Sequence, residues 1–183
     1  MLDSIKNQKT LIILKPDAIQ RHLIGEIITR IEKAGLNIVG MKMYNATLDQ
    51  VKQHYPLDNT EWVTKVGHKS KSGFESNGLN PIDYVGTDNP EEIGKQVVAK
   101  IPEYIMSGPI VVIVAQGPMA VNIGRKLIGS TQPLDSSVGT IRGDFSTDSA
   151  LQAQLENRSI YNLIHASETI DDANKEIAIW FGE

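Results

Sequence analysis

Hydrophobic positions along the chain fall into unbroken runs and helical stripes. Thr10-Leu11-Ile12-Ile13-Leu14 has no polar break until Lys15-Pro16-Asp17, which predicts a buried strand closed by a turn, with Lys15 at the strand end. From Leu23 to Gly35, Ile24, Ile27, Ile28 and Ile31 share one helical face, and the pattern stops at a glycine that suits a helix C-terminus. Leu36 to Ala46 is apolar with two β-branched residues and reads as a second strand. Thr47-Leu48-Asp49-Gln50 then opens a short helix toward His54-Tyr55.

From about Glu61 to Lys100 the periodicity dissolves into Gly, Ser, Asn, Asp and Lys, with Trp62, Phe74 and Tyr84 as apolar anchors. This stretch is too anchored for a free linker and too irregular for a core element, so it reads as an ordered insertion. Pro109 to Ala115 is the most strand-like segment of the chain, followed by a helix from Met119 to Ile128 and a polar loop from Gly129 to about Thr147. Ala150 to Arg158 has helical composition, and the stretch around His165 supplies a short strand. Thr169 with Asp172 caps a final helix that sets Ala173, Ile177 and Phe181 on one face. The sum is βαββαβ, an α+β ferredoxin-like plan in which helices pack on an antiparallel sheet. One domain over residues 1–183 is expected, with insertions at about 63–100 and 146–158.

Composition narrows the class. With 183 residues, 40% of them hydrophobic, the chain is long enough for one substantial core. It has no apolar run of bilayer length, and Met1-Leu2-Asp3-Ser4-Ile5-Lys6 lacks the form of a secretory signal. Zero cysteines exclude disulfides and thiolate metal sites and suit a reducing, cytoplasmic setting. A formal net charge of −4 argues against stable nucleic-acid binding as the main job and leaves room for a local basic pocket.

Candidate chemistry sits at the ends and loops of this plan. In Asn162-Leu163-Ile164-His165-Ala166-Ser167-Glu168-Thr169, a histidine stands between an apolar run and a helix start. Neutral imidazole is a nucleophile near pH 7, although a lone histidine by itself reads as a packed or surface residue. Lys15, Arg125, Thr131 and Arg142 offer the cations and hydroxyl that phosphate oxygens require; each taken singly reads as a solvated surface group. No GxxxxGK[ST] or GxGxxG occurs, so two common nucleotide cradles are excluded.

Seven blocks spell out a family. TLIILKPDAIQRHLIGEIITRIEKAGLNIVGMK, His54-Tyr55, SGPIVVIVAQG, NIGRKLIGSTQP, GTIRGDF, NLIHASET and the closing KEIAIWF occur in an order that resembles nucleoside diphosphate kinase. The resemblance implies transfer of the terminal phosphoryl group of a nucleoside triphosphate to a nucleoside diphosphate through a phosphohistidine, maintaining triphosphate pools. It makes His165 the nucleophile, Glu176 the residue orienting its ring, and Ser167 and Tyr55 its neighbours. Lys15 and Asn162 match the ribose-hydroxyl binders, Lys15 also reaching the transferring phosphate; Arg125, Thr131 and Arg142 match the phosphate binders. Mg²⁺ held mainly by the nucleotide phosphates is implied, with no metal ligands from the protein, as is a homo-oligomer, hexamer or tetramer, away from membranes.

Three departures accompany the resemblance. His165-Ala166-Ser167 stands where the family motif is His-Gly-Ser, which is tolerable unless that residue needs φ > 0. The insertion after Trp62 loosens the alignment of the base-stacking aromatic, for which Trp62 is the candidate, with a core role as the alternative. A second extension falls between Phe145 and Asn162. Two other classes fit parts of the sequence: a nucleotide-binding regulatory module with a dead centre, and an adhesion protein displaying Arg142-Gly143-Asp144. Whether that tripeptide faces a pocket or solvent separates the second from the enzyme.

Overall fold

The computed structural model describes residues 6–182; the N-terminal stretch read above for a secretory signal lies mostly outside them. In chain order the elements are β1 (Gln8–Leu14), α1 (Pro16–Gln20), α2 (Ile24–Lys33), β2 (Asn37–Tyr44), α3 (Leu48–His54), α4 (Thr60–Glu75), α5 (Pro81–Val85), α6 (Pro90–Ile105), β3 (Ile110–Gly117), α7 (Ala120–Ile128), α8 (Ile141–Phe145), α9 (Ala150–Leu155), β4 (Ile164–Ala166) and α10 (Ile170–Phe181). The four strands form one antiparallel sheet in the order β2-β3-β1-β4, the ferredoxin-like arrangement.

Strand β1 is buried almost throughout because both faces of the sheet are covered. Alternate residues point to opposite faces, so Ile12 and Leu14 join Ile27 and Ile31 of α2 and Ile128 of α7. Leu11 and Ile13 join Val51 of α3, Ile105 of α6 and Ile177 and Trp180 of α10 on the other side. Double coverage is why β1 and β3 read as continuous apolar runs. The edge strand β2 instead keeps an alternating pattern, with Val39, Met41 and Met43 about half exposed. On α10, Ala173 and Ile177 are buried as expected, and the capping box of Thr169 and Asp172 forms. Trp180 completes the buried face, while Phe181 is only partly covered.

The stretch 63–100 departs from its reading as irregular. It holds most of the long helices α4 and α6, with short α5 between them, and α4 and α6 pack along each other. The reason is a glycine pair: a Cβ on Gly67 would stand 1.7 Å from the Pro90 carbonyl oxygen, and one on Gly94 would stand 2.1 Å from that of Val63. Asn59, Asn80 and Asn89 cap the three helices. The second addition also forms a helix, α9, which packs against α4. The polar loop after α7 contains a 3-10 turn at Pro133–Asp135 and the short helix α8.

Candidate active site

Strand β4 is only three residues long, and the turn after β1 fixes its entrance. Leu163, with φ of 65°, accepts the Lys15 N–H at 2.8 Å and donates its own N–H to Asp17 Oδ2 at 3.0 Å. The Tyr104 hydroxyl donates to the other oxygen, Oδ1, at 2.6 Å. Ile13 then pairs with His165, and the Ser167 N–H closes onto the Leu11 carbonyl at 3.1 Å. Residues some 150 positions apart in sequence thereby hold one imidazole in place.

The ring of His165 is hydrogen-bonded on one side. Its Nε2 lies 3.0 Å from Glu176 Oε1, and an ionised carboxylate only accepts, so the proton sits on Nε2 and Nδ1 carries the lone pair. Ser167 Oγ donates to Glu176 Oε2 at 2.6 Å and accepts the Leu11 N–H at 3.1 Å, which fixes the carboxylate. Burial pushes the Glu176 carboxyl above its ordinary value, offset in part by His54 and Ser167. Burial, then Lys15, Arg142 and Arg125, push His165 down to about 3. The imidazole is therefore neutral at physiological pH, with 21% of its side chain exposed.

Lys15 and Arg142 are not the solvated surface groups that each would be in isolation, and Arg125 is partly buried. Lys15 is 8% exposed; its Nζ donates to Asn162 Oδ1 at 2.6 Å and lies 5.4 Å from the Tyr104 ring centroid. Burial, and then Arg142, hold its ammonium down to about 7. Asn162 in turn donates through Nδ2 to the Thr131 carbonyl at 2.9 Å, tying the loop after α7 to the start of β4. Arg142 is 4% exposed and donates to the carbonyls of Asn162, Gly129, Ser130 and Ile164. Burial and the neighbouring Arg125 lower its guanidinium to about 10, still cationic at neutral pH. Because Arg142 is buried and Asp144 is engaged with Arg30, the tripeptide is not a displayed adhesion loop.

Tyr55 is raised by burial and by Glu176, so its phenol stays protonated. Ala166 is fully buried without a positive φ, so the methyl that replaces the family glycine fits. Trp62 sits half-buried in the first turn of α4; among the described residues its ring joins none of the hydrogen bonds or aromatic contacts around His165. A cleft of about 330 Å³ bordered by Arg21, Phe145, Asp148, Arg158 and Tyr161 shares Asp17 with this network and does not include His165.

Sequence reasoning gave no role to three members of the network. Asp17 and Tyr104 anchor Leu163, and His54 stacks edge-to-face on His165 with ring centroids 4.5 Å apart. Asp17 follows the strand-end lysine and His54 precedes Tyr55, so adjacency was an available signal for both. Tyr104 lies within the stretch between the matched blocks and offered none.

A ferredoxin-like sheet that presents a neutral, carboxylate-held histidine among buried cations defines a phosphotransferase working through a phosphorylated histidine. The profile of the family described as "Nucleoside diphosphate kinase" matches residues 8–72 and 90–183, leaving out 73–89. A nucleoside diphosphate kinase from Pyrobaculum aerophilum is 46% identical over 176 residues, covering 96% of each chain. One from Pyrococcus furiosus is 37% identical over 95% of this chain and 83% of its own. The crystal structure of the Pyrobaculum enzyme superposes with a TM-score of 0.89 at 44% identity, covering 96% of both chains. A transition-state mimic from Borrelia burgdorferi with bound vanadate and ADP gives 0.75 at 33% identity, covering 97% of this chain and 89% of that one. The chain belongs to the nucleoside diphosphate kinase family, enzymes that move a phosphoryl group between nucleotides through a phosphohistidine.

Proposed function

We propose that His165 accepts the terminal phosphoryl group on Nδ1, and the observation that carries this is the Nε2–Glu176 hydrogen bond of 3.0 Å, which leaves Nδ1 as the nucleophile. In the first half-reaction the Nδ1 lone pair forms a bond to the terminal phosphorus, and the bond to the bridging oxygen breaks, releasing the nucleoside diphosphate. The second half-reaction runs in reverse toward a different diphosphate, which predicts ping-pong kinetics. Phosphorylated imidazole carries positive charge, and Glu176, steadied by Ser167, balances it through Nε2–H. Arg125 and Arg142 offset charge on the transferring oxygens, Thr131 lends its hydroxyl, and Lys15 with Asn162 holds the sugar hydroxyls and the phosphate end. Tyr55 closes the side of the pocket, and Trp62 is the proposed base-stacking aromatic. Stacking tolerates every base, so purine and pyrimidine substrates are both used.

The family acts with a divalent ion, and the proposed form is Mg²⁺ carried by the nucleotide phosphates. Among the described residues the cluster with ligand spacing is His54, His165 and Glu176, and it is a poor fit to Mg²⁺. It offers two nitrogens, and its carboxylate is already bonded to His165 and Ser167. The charged groups that press most on His165 are the cations Lys15, Arg142 and Arg125, which suits an ion that arrives with its own oxygen ligands. When bound, the ion supplies charge neutralisation at the phosphate oxygens.

We also propose a cytoplasmic homo-oligomer, hexamer or tetramer, built from one domain over 1–183 with additions at about 63–100 and 146–158. The β2 edge, with Met41 54% exposed and, among the described residues, a strand partner only on its β3 side, supports self-association. Among the described residues, no helix is long and apolar enough to cross a membrane.

The central test is incubation with γ-labelled nucleoside triphosphate and Mg²⁺. An acid-labile, base-stable phosphoprotein is expected in the wild type and none in His165→Ala. Label retained in His165→Ala, or absent from folded wild type, removes the assignment.

A further inference from the structure

Two imidazoles face one carboxylate oxygen. Glu176 Oε1 is 3.0 Å from His165 Nε2 and 3.8 Å from His54 Nδ1. A proton on His54 Nδ1 would give the carboxylate a second charged partner and draw it from His165. The structure contains the group that prevents this. Trp180 Nε1–H donates to His54 Nδ1 at 2.9 Å, and indole nitrogen is a donor only. His54 Nδ1 must therefore accept, which places the His54 proton on Nε2 and leaves the ring neutral.

The surroundings fix this arrangement from every side. The His54 side chain is 1% exposed and stands edge-to-face with Tyr55, His165 and Trp180 at centroid separations of 4.6, 4.5 and 5.5 Å. The groups that act on its charge are His165 from β4, Glu176 and Lys175 from α10, and Lys15 from the end of β1. Burial, the largest influence, and the cations push His54 down to about 3, while Glu176 acts in the opposite direction.

We propose that Trp180 and His54 are positioning residues for phosphoryl transfer: the indole N–H commits His54 Nδ1 as an acceptor, reserving Glu176 for the Nε2–H of His165. Neither is among the residues proposed to hold the nucleotide. The proposal rests on His165 as nucleophile, so its test includes a readout independent of turnover. Trp180→Phe keeps the aromatic packing and deletes the donor. The His54 proton is then free to sit on Nδ1, where it faces Glu176 Oε1 and diverts the carboxylate from His165.

The first measurement is ring ¹⁵N chemical shift on the full-length protein. Wild-type His54 should show a proton-free Nδ1 and a protonated Nε2 from pH 8 to 5.5, and Trp180→Phe should show a proton on Nδ1 across that range. The second is kcat. Trp180→Phe should lose about tenfold or more at every pH in the range, the order of loss when the nucleophile is misplaced. In Trp180→Phe/His54→Phe, no Nδ1–H faces Glu176, so kcat should recover above that of Trp180→Phe. A wild-type His54 protonated on Nδ1 overturns the proposal whatever the kinetics. So does a double variant no more active than Trp180→Phe, or a Trp180→Phe kcat equal to wild type. Failure of His165 as nucleophile would appear separately, as the absence of phosphoprotein.

Discussion

At Lys15, burial and Arg142 hold the ammonium down to about 7, so the free protein loses this cation as pH rises through neutrality. In the proposed role of Lys15, bound polyphosphate would favour the charged form and restore it. The nucleotide KM should therefore rise between pH 7 and 9 while kcat changes less, and Lys15→Arg, charged throughout, should flatten the KM profile. Steady-state kinetics at fixed ionic strength checks this, and a KM constant to pH 9 contradicts it. His165 behaves oppositely to an isolated imidazole, whose ordinary value of 6.5 would place an acid limb within the assay range. Its buried, cation-lined setting moves that limb to about 3. The sequence could name this residue but not its titration, because the shift comes from groups on other elements.

The paired helices α4 and α6 close on each other through Gly67 and Gly94, where any side chain would strike backbone. Gly67→Ala should destabilise the protein by about 1–3 kcal/mol, the range for overpacking a tight contact, despite alanine's higher helix propensity. Denaturant midpoints measure it, and a neutral or stabilising result would mean that the helices part without cost. The same glycines explain why the stretch was illegible. Gly67, Gly73, Gly78 and Gly86 look like turn formers in a row, yet Gly67 is a helix–helix contact, Gly73 is helical, and Gly86 ends α5 with φ of 77°. Period and glycine content carry no sign that distinguishes a contact from a turn. By contrast β1, α2, β3 and α10 were legible because each buries a face of its own regular period. Lys15, Arg142, Asn162 and His165 were singled out through matched blocks, whereas Tyr104 and Trp180 enter the network only once the chain is folded.

Across the whole molecule, two histidines buried as neutral rings contribute to the acid sensitivity of the fold. His54 and His165 titrate at about 3 when folded and at 6.5 unperturbed, so the unfolded chain binds more protons between those values. Stability should fall as pH drops from about 6.5 toward 3, opposed in part by the raised Glu176 carboxyl. Replacing His54 with Phe should make the thermal midpoint less dependent on pH in that window, and calorimetry from pH 7 to 4 would show an unchanged slope if His54 contributes nothing. The β2 edge sets the proposed assembly: Met41→Lys should give a smaller particle by light scattering, and an unaltered mass would remove β2 from the interface.

The pairing of β1 with β4 also has a consequence in time. Leu14 must wait for Ile164 before the two strands join, and among the described residues no other strand occupies that side of β1. At about 5–20 residues per second, a ribosome takes roughly 8–30 s to make the intervening chain. For that interval the nascent chain has Lys15 but neither Asn162, its side-chain partner, nor His165, the proposed nucleophile, so a molecule cut short before β4 is expected to be born without catalytic power rather than with a weakened form of it.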